Sequence, residues 1–290
     1  MNQLHLLPCL DCDEMADSRR EELNISRHIA MDLGTSAVDI SRKGVFTNSI
    51  GQSVSFGIAV QNACVNKRSI PPDEPLPIRN CPGFPETIVQ VTNETTLQAS
   101  RRLVADGLRP LALNFANGIS PGGGFLTGSR AQEEVLCRSS ALYLTLVGDG
   151  MYDAHHKRPL PDSSDWSILS PEVPVFRRDD GTALEEPWLL DFITSAAPYA
   201  PTVGKQESTE MLKSRIHRVL SIAASFGYET LVLGAWGCGA FGNDPHRTAA
   251  DFRDALKNDF RGAFAHIVFA ITDWSPGRKF LGPFRDEFSE

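Results

Sequence analysis

The chain has 290 residues, 41% hydrophobic and 22% charged, with a net charge of −8. That length suits one large α/β domain or two small ones with a sizeable core, and the composition is that of an ordinary globular protein. The charge disfavours a broad basic groove for bare nucleic acid, and no apolar run reaches the length of a membrane span.

Residues 1–17 are expected to form a disordered or weakly docked tail, without the basic start of a signal peptide. A helix is expected over 18–33, with Ser18 as N-cap and Gly34 as the stop. Val54–Val65 is apolar and leans to strand, and the prolines of 69–86 demand a loop. Regular alternation then begins. Thr87–Val91 reads as a strand, and Thr95-x-x-Gln98 as a capping box that opens a helix ending at Gly107. Leu111–Ala116 reads as a buried strand, followed by a glycine loop and a long helix from about Ala131 to Leu146. Residues 148–187 read as mostly irregular, with Val173–Phe176 an edge strand. Leu189–Thr194 is a strand, Ser208–Phe226 a helix, Leu231–Ala235 a strand, Pro245–Leu256 a helix and His266–Thr272 a last strand. Helices between apolar strands imply a three-layer α/β domain with a largely parallel sheet.

The cysteines are Cys9, Cys12, Cys64, Cys81, Cys137 and Cys238. Cys9-x-x-Cys12 has zinc-like spacing, yet no second pair follows, so no metal is expected. Cys137 and Cys238 sit in apolar contexts as small core residues. The chain reads as a cytosolic, cytoplasmic protein with reduced thiols.

Two loops carry the chemistry. Gly122-Gly123-Gly124 lies between a strand and a helix, and Gln132-Glu133-Glu134 follows it closely. Glycines let the backbone approach a ligand, and strand-to-helix junctions bind phosphate-bearing ligands. The second loop, Gly237-Cys238-Gly239-Ala240-Phe241-Gly242, matches the dinucleotide fingerprint Gly-x-Gly-x-x-Gly. Pro245 opens the helix only after those glycines, Asp273 is too far along for the ribose acid, and too little chain remains for a second half. Both loops instead follow strands of one sheet and line one cleft.

These residues resemble the bacterial-type poly(ADP-ribose) glycohydrolases, which are macrodomain proteins, through the signature Gly-Gly-Gly…Gln-Glu-Glu from Gly122 to Glu134. Val91–Leu97, Leu113–Asn117, Ser170–Arg177 and Gly237–Pro245 also look like that family, in the same order, across roughly 85–275. One departure is Tyr199, where the family usually has Asn after Ala-Ala-Pro.

The resemblance implies a three-layer α/β/α macrodomain-like fold with a mixed, largely parallel sheet and an N-terminal helical extension. Residues 1–85 would be a tail and extension packed on the core, and 86–290 the core. The substrate would be poly(ADP-ribose) or ADP-ribosylated proteins and the product ADP-ribose, with no cofactor and no membrane partner. Glu134, starting neutral, would protonate the leaving oxygen of a ribose–ribose bond and then, as carboxylate, take a proton from water. Glu133 would orient a ribose hydroxyl, and Asn117 would bind the distal ribose. Gly122, Gly123, Gly124 and Gln132 would shape the sugar side. Gly237, Cys238, Gly239, Ala240 and Phe241 would close over the diphosphate.

Plainer readings stand beside these. Glu133 and Glu134 also suit an acidic first helical turn, with Arg130 and Arg138 as surface ion-pair partners. Asn117 suits a turn and Phe241 a core position. His155 and His156 read as solvent-facing, and Trp166 and Trp188 as packing or lid residues. A module that binds ADP-ribose without cleaving it is the alternative function.

Overall fold

The computed structural model describes residues 3–78 and 82–289, so Cys81 and part of the loop expected over 69–86 lie outside the described residues. The N-terminal region runs β1 (Gln3–Leu6), α1 (Asp13–Leu23), α2 (Arg27–Lys43), β2 (Val45–Thr47), β3 (Ser53–Ser55), α3 (Gly57–Asn66) and β4 (Arg68–Ile70). Then come β5 (Glu86–Thr92), α4 (Thr96–Ala105), β6 (Pro110–Ala116), α5 (Gln132–Ser139), α6 (Leu142–Leu146) and α7 (Gly150–His156). The chain continues through β7 (Ser167–Arg177), β8 (Ala183–Ala196), α8 (Ala200–Val203), α9 (Lys205–Ser225), β9 (Thr230–Leu233), α10 (Pro245–Lys257), β10 (His266–Ala270) and α11 (Leu281–Glu287).

Eight strands form one sheet in the order β1-β5-β10-β9-β6-β8-β7-β4. The pairings from β1 to β8 are parallel, and β8-β7 and β7-β4 are antiparallel. Helices cover both faces, as buried parallel strands require. Leu212 and Ile216 of α9, Phe252 of α10 and Phe284 of α11 pack on one face. Val60 of α3, Leu97 of α4 and Leu136 of α5 pack on the other. This is the mixed, largely parallel three-layer architecture expected. The capping box is also present: Thr95 Oγ1 accepts from the Gln98 N–H, and the Gln98 side chain accepts from the Thr95 N–H.

Several local expectations are corrected. Residues 3–6 are not a tail, because they pair in parallel with β5 and give that strand a partner for its outer edge. The helix expected over 18–33 is two helices, and the second is capped by Ser26 and ends at Gly44 in the left-handed region. Gly34 lies inside α2, where an added Cβ would come within 2.5 Å of the Phe125 carbonyl oxygen. Its value is therefore close backbone packing and not helix termination.

Within Val54–Val65 only the first residues are strand, and the rest is α3. The helix expected over 131–146 breaks at Ser140, whose extended backbone bridges to Val175. Its hydroxyl donates to the Leu136 carbonyl and accepts from the Leu142 N–H at 3.2 Å, so one side chain serves both helix ends. Residues 148–187 are far more regular than expected, because β7 and β8 form a long hairpin. Pro171 and Pro174 obscure it, and the register shifts between Ser170 and Val173. β4 pairs only with Ser167–Leu169 of β7, and the outer side of Val173–Phe176 meets a single bridge from Ser140 to Val175.

Candidate active site

β6 empties into the triple-glycine loop and β9 into the second glycine loop. Their parallel pairing, with Leu111 opposite Leu231, puts both loops at the same edge of the sheet. Between them lies a cleft of about 700 Å³, within the range of small-molecule sites. Asn117, Gly123, Gly124, Gln132, Glu133, Glu134, Gly237, Gly239, Ala240 and Phe241 all line it.

The first loop is built around two acids. Gly122 and Gly123 have φ of 71° and 57°, in the left-handed region. The turn carries the Gly124 N–H to 2.9 Å from Glu134 Oε1. Glu134 is only 8% exposed, and its other oxygen, Oε2, is buried with no hydrogen-bond partner among the described residues. A buried polar atom left open in a cleft wall is a docking point for a ligand or water. Glu133 is 3% exposed. Its Oε2 accepts from the Asn117 N–H at 2.7 Å and its Oε1 from the Asn114 side chain at 3.3 Å.

Burial pushes the Glu133 carboxyl up to about 8; the neighbouring Glu134 adds to this, and hydrogen bonds from the Asn117, Asn114 and Gly122 N–H groups oppose it. The group thus ionises near 8 when folded and near 4.5 when unfolded. Between those values the folded state holds the extra proton, so this group makes stability fall as pH rises through the window. Its contribution to the slope is at most about 1.4 kcal/mol per pH unit. Denaturant melts from pH 5 to 8 should show a shallower decline in Glu133→Gln than in the wild type. Equal slopes would show that the carboxyl is not held neutral.

Other predicted residues act through the backbone. Gln132 Oε1 accepts from the Phe115 N–H at 2.9 Å, while its Nε2 donates to the Leu113 carbonyl at 2.7 Å. It clamps the start of α5 to the end of β6. Asn117 Oδ1 accepts from the Ile119 and Ser120 N–H groups, leaving its amide nitrogen for the cleft. Gly122 sits behind the wall, where a Cβ would meet the Phe125 ring at 2.9 Å. Cys238 is 5% exposed, with its thiol turned toward the Trp236 carbonyl and Thr248.

In the second loop Gly237 has φ of 74°, and Asn243 bridges its carbonyl to that of Pro198. Phe241 meets Tyr199 edge-on, with ring centroids 5.7 Å apart, so Tyr199 buttresses the ring. Asn114, Asp179, Trp274 and Phe280 belong to the site or its walls and were not picked out from sequence. Only Asn114 carried a signal, as a polar residue inside an apolar strand. Arg138 is not a surface partner: it is fully buried and donates to the Asp179 carbonyl. His155 is likewise buried, holding the Gly118 carbonyl at 3.0 Å through Nδ1 and contacting Ser164 through Nε2.

Residues 35–178 match the family model described as microbial-type PARG, catalytic domain. The poly(ADP-ribose) glycohydrolase (PARG) of Thermomonospora curvata is 39% identical, over 90% of this chain and 99% of that one, with a TM-score of 0.84. The chain belongs to the microbial-type PARG family. The T. curvata PARG bound to the inhibitor ADP-HPD is 40% identical over 89% of this chain and 99% of that one, with a TM-score of 0.83. The Deinococcus radiodurans PARG in complex with ADP-ribose is 38% identical over 78% of this chain and 95% of that one, with a TM-score of 0.72. A search of curated proteins found no match. The PARG fold seen here is therefore macrodomain-like. Among the described residues no helix is long and apolar enough to cross a membrane.

Proposed function

We propose that this PARG-family chain hydrolyses the ribose–ribose bonds of poly(ADP-ribose) and releases ADP-ribose, with Glu134 as general acid and base. The observation that carries this reading is the open Glu134 Oε2, buried in the cleft wall behind the triple glycine. A terminal ADP-ribose unit lies with its diphosphate along Gly237–Phe241 and its distal ribose against Asn117 and the first loop. Glu134, as the acid, gives a proton to the leaving ribose oxygen as the glycosidic bond breaks through an oxocarbenium-like state. The resulting carboxylate takes a proton from the attacking water, which returns the acid to its starting form. Glu133 holds the loop through the Asn117 N–H and offers its remaining lone pairs to a ribose hydroxyl. Gly122 and Cys238 contribute by close packing behind the two loops.

The extension of residues 1–85 and the core of 86–290 are proposed as the two parts of the molecule. Both glycine loops and the long parallel strands fall in the second part. A cytoplasmic location is proposed from the free thiols of Cys9, Cys12, Cys64, Cys137 and Cys238. Incubation of purified protein with poly(ADP-ribose), followed by chromatography, is expected to yield free ADP-ribose. Intact polymer after prolonged incubation across a range of pH would overturn the assignment.

A further inference from the structure

The cleft has a lip on the α2 side whose charge the reaction described above does not use. Ser129 donates its N–H to the Gly124 carbonyl, and Gly124 in turn holds Glu134. Arg130 follows directly, is exposed and lines the cleft mouth. One edge of its guanidinium is fixed, with Nη1 donating to the Ile25 carbonyl at 2.6 Å. Arg27 is also exposed, and its Nε donates to the carbonyl of Thr127, three residues before Arg130, at 2.9 Å. Each tether occupies one N–H of its guanidinium and leaves further N–H donors available.

Neither arginine has a carboxylate partner among the described residues. Glu22 pairs with Arg19, and Asp32 lies 3.4 Å from His28 Nε2. Arg27 also occupies the first turn of α2, which contains no acidic residue. A cation at a helix N-terminus opposes the macrodipole and costs stability. Local rules broken in this way concentrate at functional sites. Two tethered, unpaired guanidiniums at a positive helix end are suited to bind phosphate.

We propose that Arg27 and Arg130 form a phosphate subsite on the cleft lip for the ADP-ribose unit adjoining the one that is released. The inference rests on the glycohydrolase reading. A chain of net charge −8 acts on a polyanion, so local cations are needed where the remaining polymer leaves the cleft. The subsite contacts polymer and not the single terminal unit. It therefore sets KM for long chains without affecting affinity for free ADP-ribose.

The test compares wild type with the Arg27→Gln/Arg130→Gln double variant. Long poly(ADP-ribose) is the substrate at several salt concentrations, and calorimetry with free ADP-ribose probes the terminal pocket. The double variant should raise KM for polymer about tenfold at low salt. The slope of log KM against log salt should become shallower by about 1.4, near 0.7 per lost phosphate contact. Affinity for ADP-ribose should stay within about twofold, and the Arg→Lys pair should restore the salt slope. An unchanged KM and salt slope would overturn the subsite, as would a KM rise accompanied by loss of ADP-ribose affinity. If the double variant does not fold, Arg27→Gln alone decides: about half the slope change supports the subsite and no change refutes it. A wild-type protein that leaves polymer intact refutes the glycohydrolase reading itself, a result distinct from variants that match an active wild type.

Discussion

Glu134→Gln protein is expected to lose about 10³-fold in kcat on poly(ADP-ribose) while binding free ADP-ribose as tightly as the wild type. The substitution is nearly isosteric. The amide oxygen still accepts from the Gly124 N–H at the position of Oε1, so the glycine turn keeps its anchor. What disappears is a group that can release and recover a proton at the site of Oε2, which has no partner among the described residues. An interaction needed only in the transition state lowers kcat without raising ligand Kd. Single-time-point polymer digestion and calorimetry check both halves. Wild-type turnover in Glu134→Gln would remove Glu134 from the mechanism. A wild type without turnover that binds ADP-ribose would make the protein a non-catalytic binder.

Gly123→Ala is expected to cost about 10²-fold in kcat while the fold persists. Two effects combine. The backbone at φ of 57° is in the left-handed region, where a Cβ costs about 1–2 kcal/mol. The new methyl would also lie 2.4 Å from Glu134 Oε1 and 3.0 Å from Glu133 Oε2. The only relief is to displace the carboxyl that reacts. Misplacing a reacting group by about 1 Å is enough for a loss of that size. Circular dichroism should match the wild type while polymer cleavage falls. Full activity in Gly123→Ala would mean that the loop and the acid are not mechanically linked.

The sequence made the parallel half of the molecule readable and the antiparallel half opaque. β5, β6, β9 and β10 are apolar runs between amphipathic helices, and their ends were found to within a few residues. β7 and β8 were found only in part, as Val173–Phe176 and Leu189–Thr194, because prolines and a register shift erase the alternation that marks the rest of each strand. The extension was misread for a different reason. β1 is four residues long and has no local signal, since its stability comes from the edge of β5. The two glycine loops and the paired acids could be named from sequence because glycine spacing survives without knowledge of the fold. Asp179, Trp274 and Phe280 could not, because only the packing of distant loops brings them to the cleft. The burial of Arg138 and His155 was equally hidden, as each depends on residues far along the chain.

The contact between Gly34 and Phe125 has a practical side. A mid-helix glycine costs roughly 1 kcal/mol relative to alanine, and here it lets α2 press its backbone against the turn beyond the triple glycine. Shortened versions made for crystallography or for reagent use should keep this helix whole. Trimming it away would remove the backbone surface that the turn at Phe125 packs against, and with it one support of the cleft wall.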